Sequence, residues 1–513
     1  MLPYLKEVQS ASKKYSVVFR GLNYGEGAQD GEFAETHNLS TDQFPCITQR
    51  AGRLKKAQFE NRPTTIHARN KLVVIDGTDV WYGDEKVGTV KEGRKQVASV
   101  GNYVVIFPDK VYYRVPTYDE EGKFVAGEFA AMEVTYEGEL KFTTSSIKTT
   151  GADFPFQKGD NVKITGSSKE SNNKEIIVRS VTSKELTFDD YSFEAVEESV
   201  EVTLKRAVPD LDFICESNCR LWGTHGNTIY ASKYNDPVNF ANFEGLAGDS
   251  YYIDVSTEGA FTGCIPYSSH ICFFKENALH KLYGTKPANF QISTANVYGV
   301  QSGSERSMHT VNEQLLYKGV NGVYSYTGGI PELVSEKFGN RRYADAVACC
   351  DGEKYYISMR QGEEWHLFAY DVMKNLWLRE DDTHAVDMAL IDGKVYYLDS
   401  DGGLYYIDKM ADRNGFEWGA TFCTIHETIN ERKGYSKFHL RMDMSAGAWL
   451  SVDIKTDNDT RWREIYTTHN EKAKTVSIPI IPTRCDSIDI RLRGKGECTI
   501  KAFIREFTTG SDV

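Results

Sequence analysis

One short phrase returns seven times along this chain: an apolar strand, a tight polar turn, then a second strand dense in tyrosine or tryptophan. Leu72-Val73-Val74-Ile75 leads through Asp76-Gly77 to Val80-Trp81-Tyr82, and Met388-Ala389-Leu390-Ile391 leads through Asp392-Gly393 to Val395-Tyr396-Tyr397-Leu398. Alternating strands around a two-residue Asp-Gly or Asn-Gly turn are the strongest local signal for a β-hairpin. The other copies fall at 103–113, 221–230, 271–283, 315–326 and 355–370, and from the third onward they recur about every 40 to 50 residues, the period of a propeller blade. A blade of four short strands cannot bury both faces by itself, so radial stacking of the large aromatic residues is the expected core.

At 513 residues the chain predicts about two to four folding units. Its 30 Tyr and 26 Phe against 9 Met, with no long Leu/Ala/Glu/Lys stretches, favour strands throughout. The expected fold is therefore all-β: a β-propeller with an extended N-terminal arm, an inserted small β-barrel and a C-terminal β-sandwich. The arm covers 1–60, where apolar residues are sparse and turn formers frequent. The propeller covers 61–117 and 209–408. The barrel fills 118–208, where the phrase disappears and short strands at 156–164, 175–178 and 185–188 replace it. Residues 409–513 alternate apolar and polar positions at a spacing that suits a sandwich, with turns at Asn458-Asp459 and Gly494-Lys495-Gly496; two further blades are the other reading of this segment.

The start, Met1-Leu2-Pro3-Tyr4-Leu5-Lys6, lacks the apolar stretch of a secretory signal, and no run of 18 apolar residues predicts a membrane span. Assembly in a cytoplasm is expected, with the ten scattered cysteines as buried reduced thiols. A net charge of -13 disfavours a general nucleic-acid binder and does not exclude a surface past which DNA slides, where repulsion would prevent sticking.

Motifs for chemistry are thin. Gly25-x-Gly27-x-x-x-Gly31 has no preceding strand or following helix and so lacks the amide nest that a phosphate needs. Cys215-x-x-x-Cys219 has no second ligand pair at finger-like distance, and strand periodicity places both thiols on one face, as a core requires. Asp399-Ser400-Asp401-Gly402-Gly403 lacks the distal acid of a calcium loop and reads as a hairpin turn. The Ser-x-Asp-x-Gly-x-Thr-Trp turn of sialidase blades does not occur. No enzyme activity, metal or cofactor is expected.

Two segments stand out as surfaces. In the arm, Phe33, Leu39, Phe44 and Ile47 are apolar anchors set among polar residues, with Asn38 and Pro45 between them and Arg50 and Arg53 at the end. Such a strip either docks on a neighbouring subunit or straps its own chain, with the arginines forking onto carboxylates. The basic turn with Arg491, Arg493 and Lys495 is a phosphate-contacting candidate or an exposed hairpin.

The arm reads Leu22-Asn23, Phe33-x-Glu35-x-x-Asn38-Leu39-Ser40-x-Asp42-x-Phe44-Pro45 and Arg50-x-Gly52-Arg53. Further on come Arg220-Leu221-Trp222-Gly223 and Ile229-Tyr230-Ala231-Ser232-x-x-x-Asp236-Pro237-x-Asn239-Phe240. Together these phrases resemble the tail proteins of bacteriophages and prophages, in particular the packaged-DNA stabilisation, or tail hub and nozzle, proteins of short-tailed phages. The resemblance covers the arm, the propeller and, more loosely, the C-terminal block; the inserted barrel has no counterpart in it. It implies a structural protein of the virion tail, assembled in the bacterial host cytoplasm as a homo-oligomeric ring, a hexamer in this family. Its partners would be the portal and adaptor, other tail proteins, and DNA passing through the channel without sequence-specific contacts. The alternative is a phage baseplate or adhesin component that binds host cell-wall glycan through exposed aromatics such as Trp81 or Trp365.

Overall fold

A computed structural model describes residues 11–119, 121–198, 201–427, 431–457, 459–472, 474–481 and 484–510. The amino-terminal segment through residue 10 and the turn position Asn458 lie outside the described residues. The described chain is all-β, made of many small antiparallel sheets with only single-turn 3-10 helices between them. It divides into two compact units, Met1–Gln58 with Arg306–Val513, and Phe59–Glu305.

The unit Phe59–Glu305 carries four four-stranded meanders: residues 63–89, 96–131, 213–254 and 261–295. The aromatic phrase supplies the two middle strands of each, as at Lys71–Asp76 paired with Asp79–Tyr82. There the loop is Gly77-Thr78 rather than Asp76-Gly77, because Asp76 pairs with Asp79 and Gly77 takes φ +60. The second meander takes its outer strand from Glu128–Ala131, inside the segment expected to begin the insert. Only four residues long and partly exposed, that strand has no pattern to announce it.

Between Val134 and Arg206 the chain forms two further small sheets around one apolar core that includes Phe142, Ile147, Val162 and Leu204. The strands Leu140–Phe142, Ser146–Thr149 and Val202–Arg206 were not evident from sequence, and Phe156–Lys158 lies outside any strand. Buried Arg206 closes the base of this subunit of structure, donating to Met132 O at 2.9 Å and to Asp160 Oδ2 at 2.7 Å. Asp160 also accepts from Asn239 Nδ2 at 3.2 Å, and Asn242 Nδ2 donates to Gly159 O at 2.8 Å. Asn239 and Asn242 thus tie the segment after Pro237 to the 134–206 sheets.

The other unit carries three more meanders, at 309–333, 344–381 and 385–408. The last has three strands of its own, and the arm strand Gly52–Gln58 pairs with Gly403–Asp408 to make the fourth. Its first hairpin turns through Asp392-Gly393, both at positive φ, as the Asp-Gly signal predicts. Two five-stranded sheets follow, and the arm enters both. Ser12–Ser16 pairs with Cys498–Gly510 in one, and Phe33–His37 pairs with Glu417–Phe422 in the other. Residues 409–513 therefore do not complete their sheets without the arm.

Candidate functional site

The arm is built into its own unit. Phe33 is fully buried, its ring stacked 5.9 Å from Phe19 and tilted 4.9 Å from Phe422. Leu39 and Ile47 are buried as well, and each such side chain is worth about 1.5–3 kcal/mol relative to exposure. The entry turn needs glycine: Gly21 has φ +75, and a Cβ there would lie 2.5 Å from Trp377 O, the atom to which Leu22 N–H donates. Asn38, at φ 56, ties three segments together. Its N–H donates to Glu380 O at 2.6 Å, its Nδ2 to Glu417 O at 2.7 Å, and its Oδ1 accepts from Arg50 Nε at 2.7 Å. Asparagine tolerates this left-handed conformation better than most residues.

Both arginines fork onto carboxylates, but of the same chain. Arg53 donates to Glu380 Oε2 and Asp381 Oδ2 at 2.6 Å each and to Thr383 Oγ1 at 2.7 Å. Arg50 lies 3.4 Å from Asp381 and over the Phe416 ring. Burial opposes the charge on Asp381, yet Arg53 and then Arg50 hold its carboxyl below the usual range. Phe33, Asn38, Leu39, Ile47, Arg50 and Arg53, the subunit-interface candidates, thus all make contacts within their own chain. Phe44, 41% exposed, and the neighbouring exposed Pro45 are what the arm leaves at the surface.

Of the phosphate-contacting candidates Arg491, Arg493 and Lys495, none lies in a turn. Arg491 and Arg493 sit within the strand Ile488–Lys495, and the turn is at Gly496-Glu497. Asp453, 1% exposed, takes both: Arg493 Nε at 2.5 Å and Nη2 at 3.0 Å, and Arg491 Nε at 2.9 Å. Burial raises the pKa of Asp453, but the bonds from Arg493 and Arg491 outweigh it and leave the carboxyl below its ordinary value. Arg493 also reaches Glu464 at 3.4 Å, and Arg491 stacks 4.5 Å over Trp462. Lys495 alone is exposed, opposite Glu417 in register. A phosphate would meet guanidiniums already neutralised by carboxylates.

Along the outer face of this sheet, Glu417, Gly419 and Thr421 alternate with buried Trp418, Ala420 and Phe422. Gly419 pairs with His37 on one side and Arg493 on the other, and a Cβ there would meet nothing nearer than Leu492 O at 3.7 Å. The missing side chain opens a notch of about 240 Å³, walled by Glu35, His37, Glu417, Trp449, Arg491 and Arg493. Burial, chiefly, lowers the pKa of His37 and favours its neutral form. Sequence reading missed this site, because its walls come from strands hundreds of residues apart; the one local sign was a glycine inside a strand.

In the unit Phe59–Glu305, an apolar cleft of about 530 Å³ lies between Phe243, Leu246, Tyr252 and Pro287. Arg220, 1% exposed, pins its loop from beneath by donating to Ala247 O at 2.8 Å and Asp249 O at 2.5 Å. Cys215 is buried in a strand, while Cys219 lies in a turn at φ 56, so the two do not share a strand face as expected. Trp365 stacks on His384 at 3.7 Å. All ten cysteines are free, seven of them buried, and among the described residues no three His, Cys, Asp or Glu side chains gather as a metal site would require.

No protein-family description and no curated protein matches the chain. Solved structures offer loose likenesses. BamB from Moraxella catarrhalis is 11% identical with a TM-score of 0.34, over 71% of this chain and 98% of that one. BBS1N in complex with ARL6DN is 9% identical at 0.27, over 71% and 98%. An exo-β-1,3-galactanase from Phanerochaete chrysosporium is 8% identical at 0.22, over 56% and 92%. At such scores these likenesses carry no argument about activity or partners.

Proposed function

We propose that this chain is a structural protein of a short-tailed phage virion: a nozzle or hub subunit whose homo-oligomeric ring, a hexamer, continues the DNA channel below the portal and adaptor and helps retain the genome. The seven four-stranded meanders, four in one unit and three in the other, are read as propeller blades, with the arm strand Gly52–Gln58 completing the last of them. The 134–206 block is read as a barrel inserted between blades, and the C-terminal pair of sheets as a sandwich completed by the arm.

The observation that carries this reading is how the phrases behind the phage resemblance are used. Asn38, Arg50, Arg53, Arg220 and Asn239 all act as framework, tying sheets and loops to one another. Such keystones fit a scaffold. Ring contacts would then fall to apolar side chains left at the surface, such as Phe243, Leu246 and Tyr252 around the cleft and the Tyr118–Phe124 pair, whose rings lie 5.8 Å apart. The net charge of -13 would let DNA pass a lumen without sticking. The test is a phage deleted for this gene: particles that lack a nozzle and lose packaged DNA, with both restored by adding purified protein, support the reading. DNA-filled infectious particles without the protein refute it.

A further inference from the structure

We propose that the notch at Gly419 is a binding site for one ring of a neutral glycan. Its chemistry is mixed in the way a polyol requires. Glu35 and Glu417 are exposed carboxylates that accept from hydroxyls, while Arg491 and Arg493 are held in place by buried Asp453 and present guanidinium N–H groups. Trp449 supplies an aromatic wall for the apolar face of a sugar ring. Because Asp453 fixes both arginines, the donors are set before the ligand arrives, which lowers the cost of binding.

Charge selects against other ligands. The charges balance: Arg491 and Arg493 face Asp453 and Glu464, Lys495 lies opposite Glu417, and Arg379 sits 3.7 Å from Glu35, so no net charge draws in a phosphate or an acidic sugar. A lysine side chain would find the arginine donors pointed at it. A neutral sugar both donates and accepts and satisfies the two sets together. Size agrees: about 240 Å³ lies below the roughly 300–1,000 Å³ of sites for larger organic ligands, so a single ring is held and the rest of the chain runs outward.

The experiment is tryptophan-fluorescence and saturation-transfer NMR titration of the full-length protein with a panel of neutral oligosaccharides built from glucose, galactose and N-acetylhexosamine. At least one should bind, with saturation transfer confined to one terminal or internal ring. Gly419→Val fills the notch, its Cβ in ordinary contact with Leu492 O at 3.7 Å, and strand positions accept valine, so it should fold normally and weaken binding by about tenfold or more. Trp449→Ala and Glu417→Gln should weaken the same sugar. The proposal is overturned by a panel with no binder, by binding that Gly419→Val leaves unchanged, or by a basic peptide or polyphosphate binding there in place of sugars.

Discussion

Replacing Arg53 with methionine tests whether the arm is an integral strap. The Arg53 side chain is 7% exposed and faces the side chains of Glu380 at 4% and Asp381 at 15%. Methionine keeps much of the volume and removes the charge, leaving the Glu380 carboxylate buried without its ion-pair partner, while Asp381 retains Arg50. Breaking a buried pair from one side costs about 3–5 kcal/mol, far above the ~0–1 kcal/mol of a surface pair. Urea unfolding followed by tryptophan fluorescence should show a loss in that range. Glu380→Gln added to Arg53→Met should recover most of it, because Asp381 keeps Arg50 and no charge is then stranded. A single-variant loss below about 1 kcal/mol would refute the reasoning, since the arm would then be resting on the surface.

Further outcomes follow from the same geometry. Asp381 and Asp453 have depressed folded pKa values, so their contribution is present above the unfolded value of about 3.9 and is lost as pH falls through the folded one; acid titration of stability should steepen below about pH 4, and less so in Arg53→Met. His280, bonded to Thr257 and Thr294 at 2.8 Å each, is pushed down to about 4 by burial first and Lys275 second. Unfolded chains therefore take up its proton first, stability falls between about pH 6.5 and 4, and His280→Gln should flatten that slope in the same denaturation series. Gly21→Ala meets both positive φ and Trp377 O, and should cost about 1–3 kcal/mol by thermal or urea unfolding. Asp160→Ala strands buried Arg206 and should make residues 134–206 the first target in limited proteolysis.

Local pattern made the hairpins legible. Alternation and turn residues are short-range signals, so all seven aromatic phrases correspond to paired strands. The partners of the arm were not legible. Phe33–His37 pairs with a strand nearly four hundred residues away, and nothing local in Phe-Ala-Glu-Thr-His names Glu417–Phe422 as its neighbour. Phe44 shows the converse limit: its apolar character marked it as an anchor, yet it stays at the surface under Lys374. For Cys215 and Cys219 the period-two argument failed because the strand ends at Ser217 and a turn at Asn218-Cys219 breaks the alternation. Arg491 and Arg493 read as a basic turn because Asp453, which neutralises them, lies on another strand.

Native mass spectrometry and single-particle imaging of the full-length protein, alone and with a portal–adaptor complex, test the central claim most directly. The account predicts a closed ring of six copies with a central channel that stacks on the adaptor. A chain that stays monomeric at virion-like salt and makes no complex with the adaptor would contradict it.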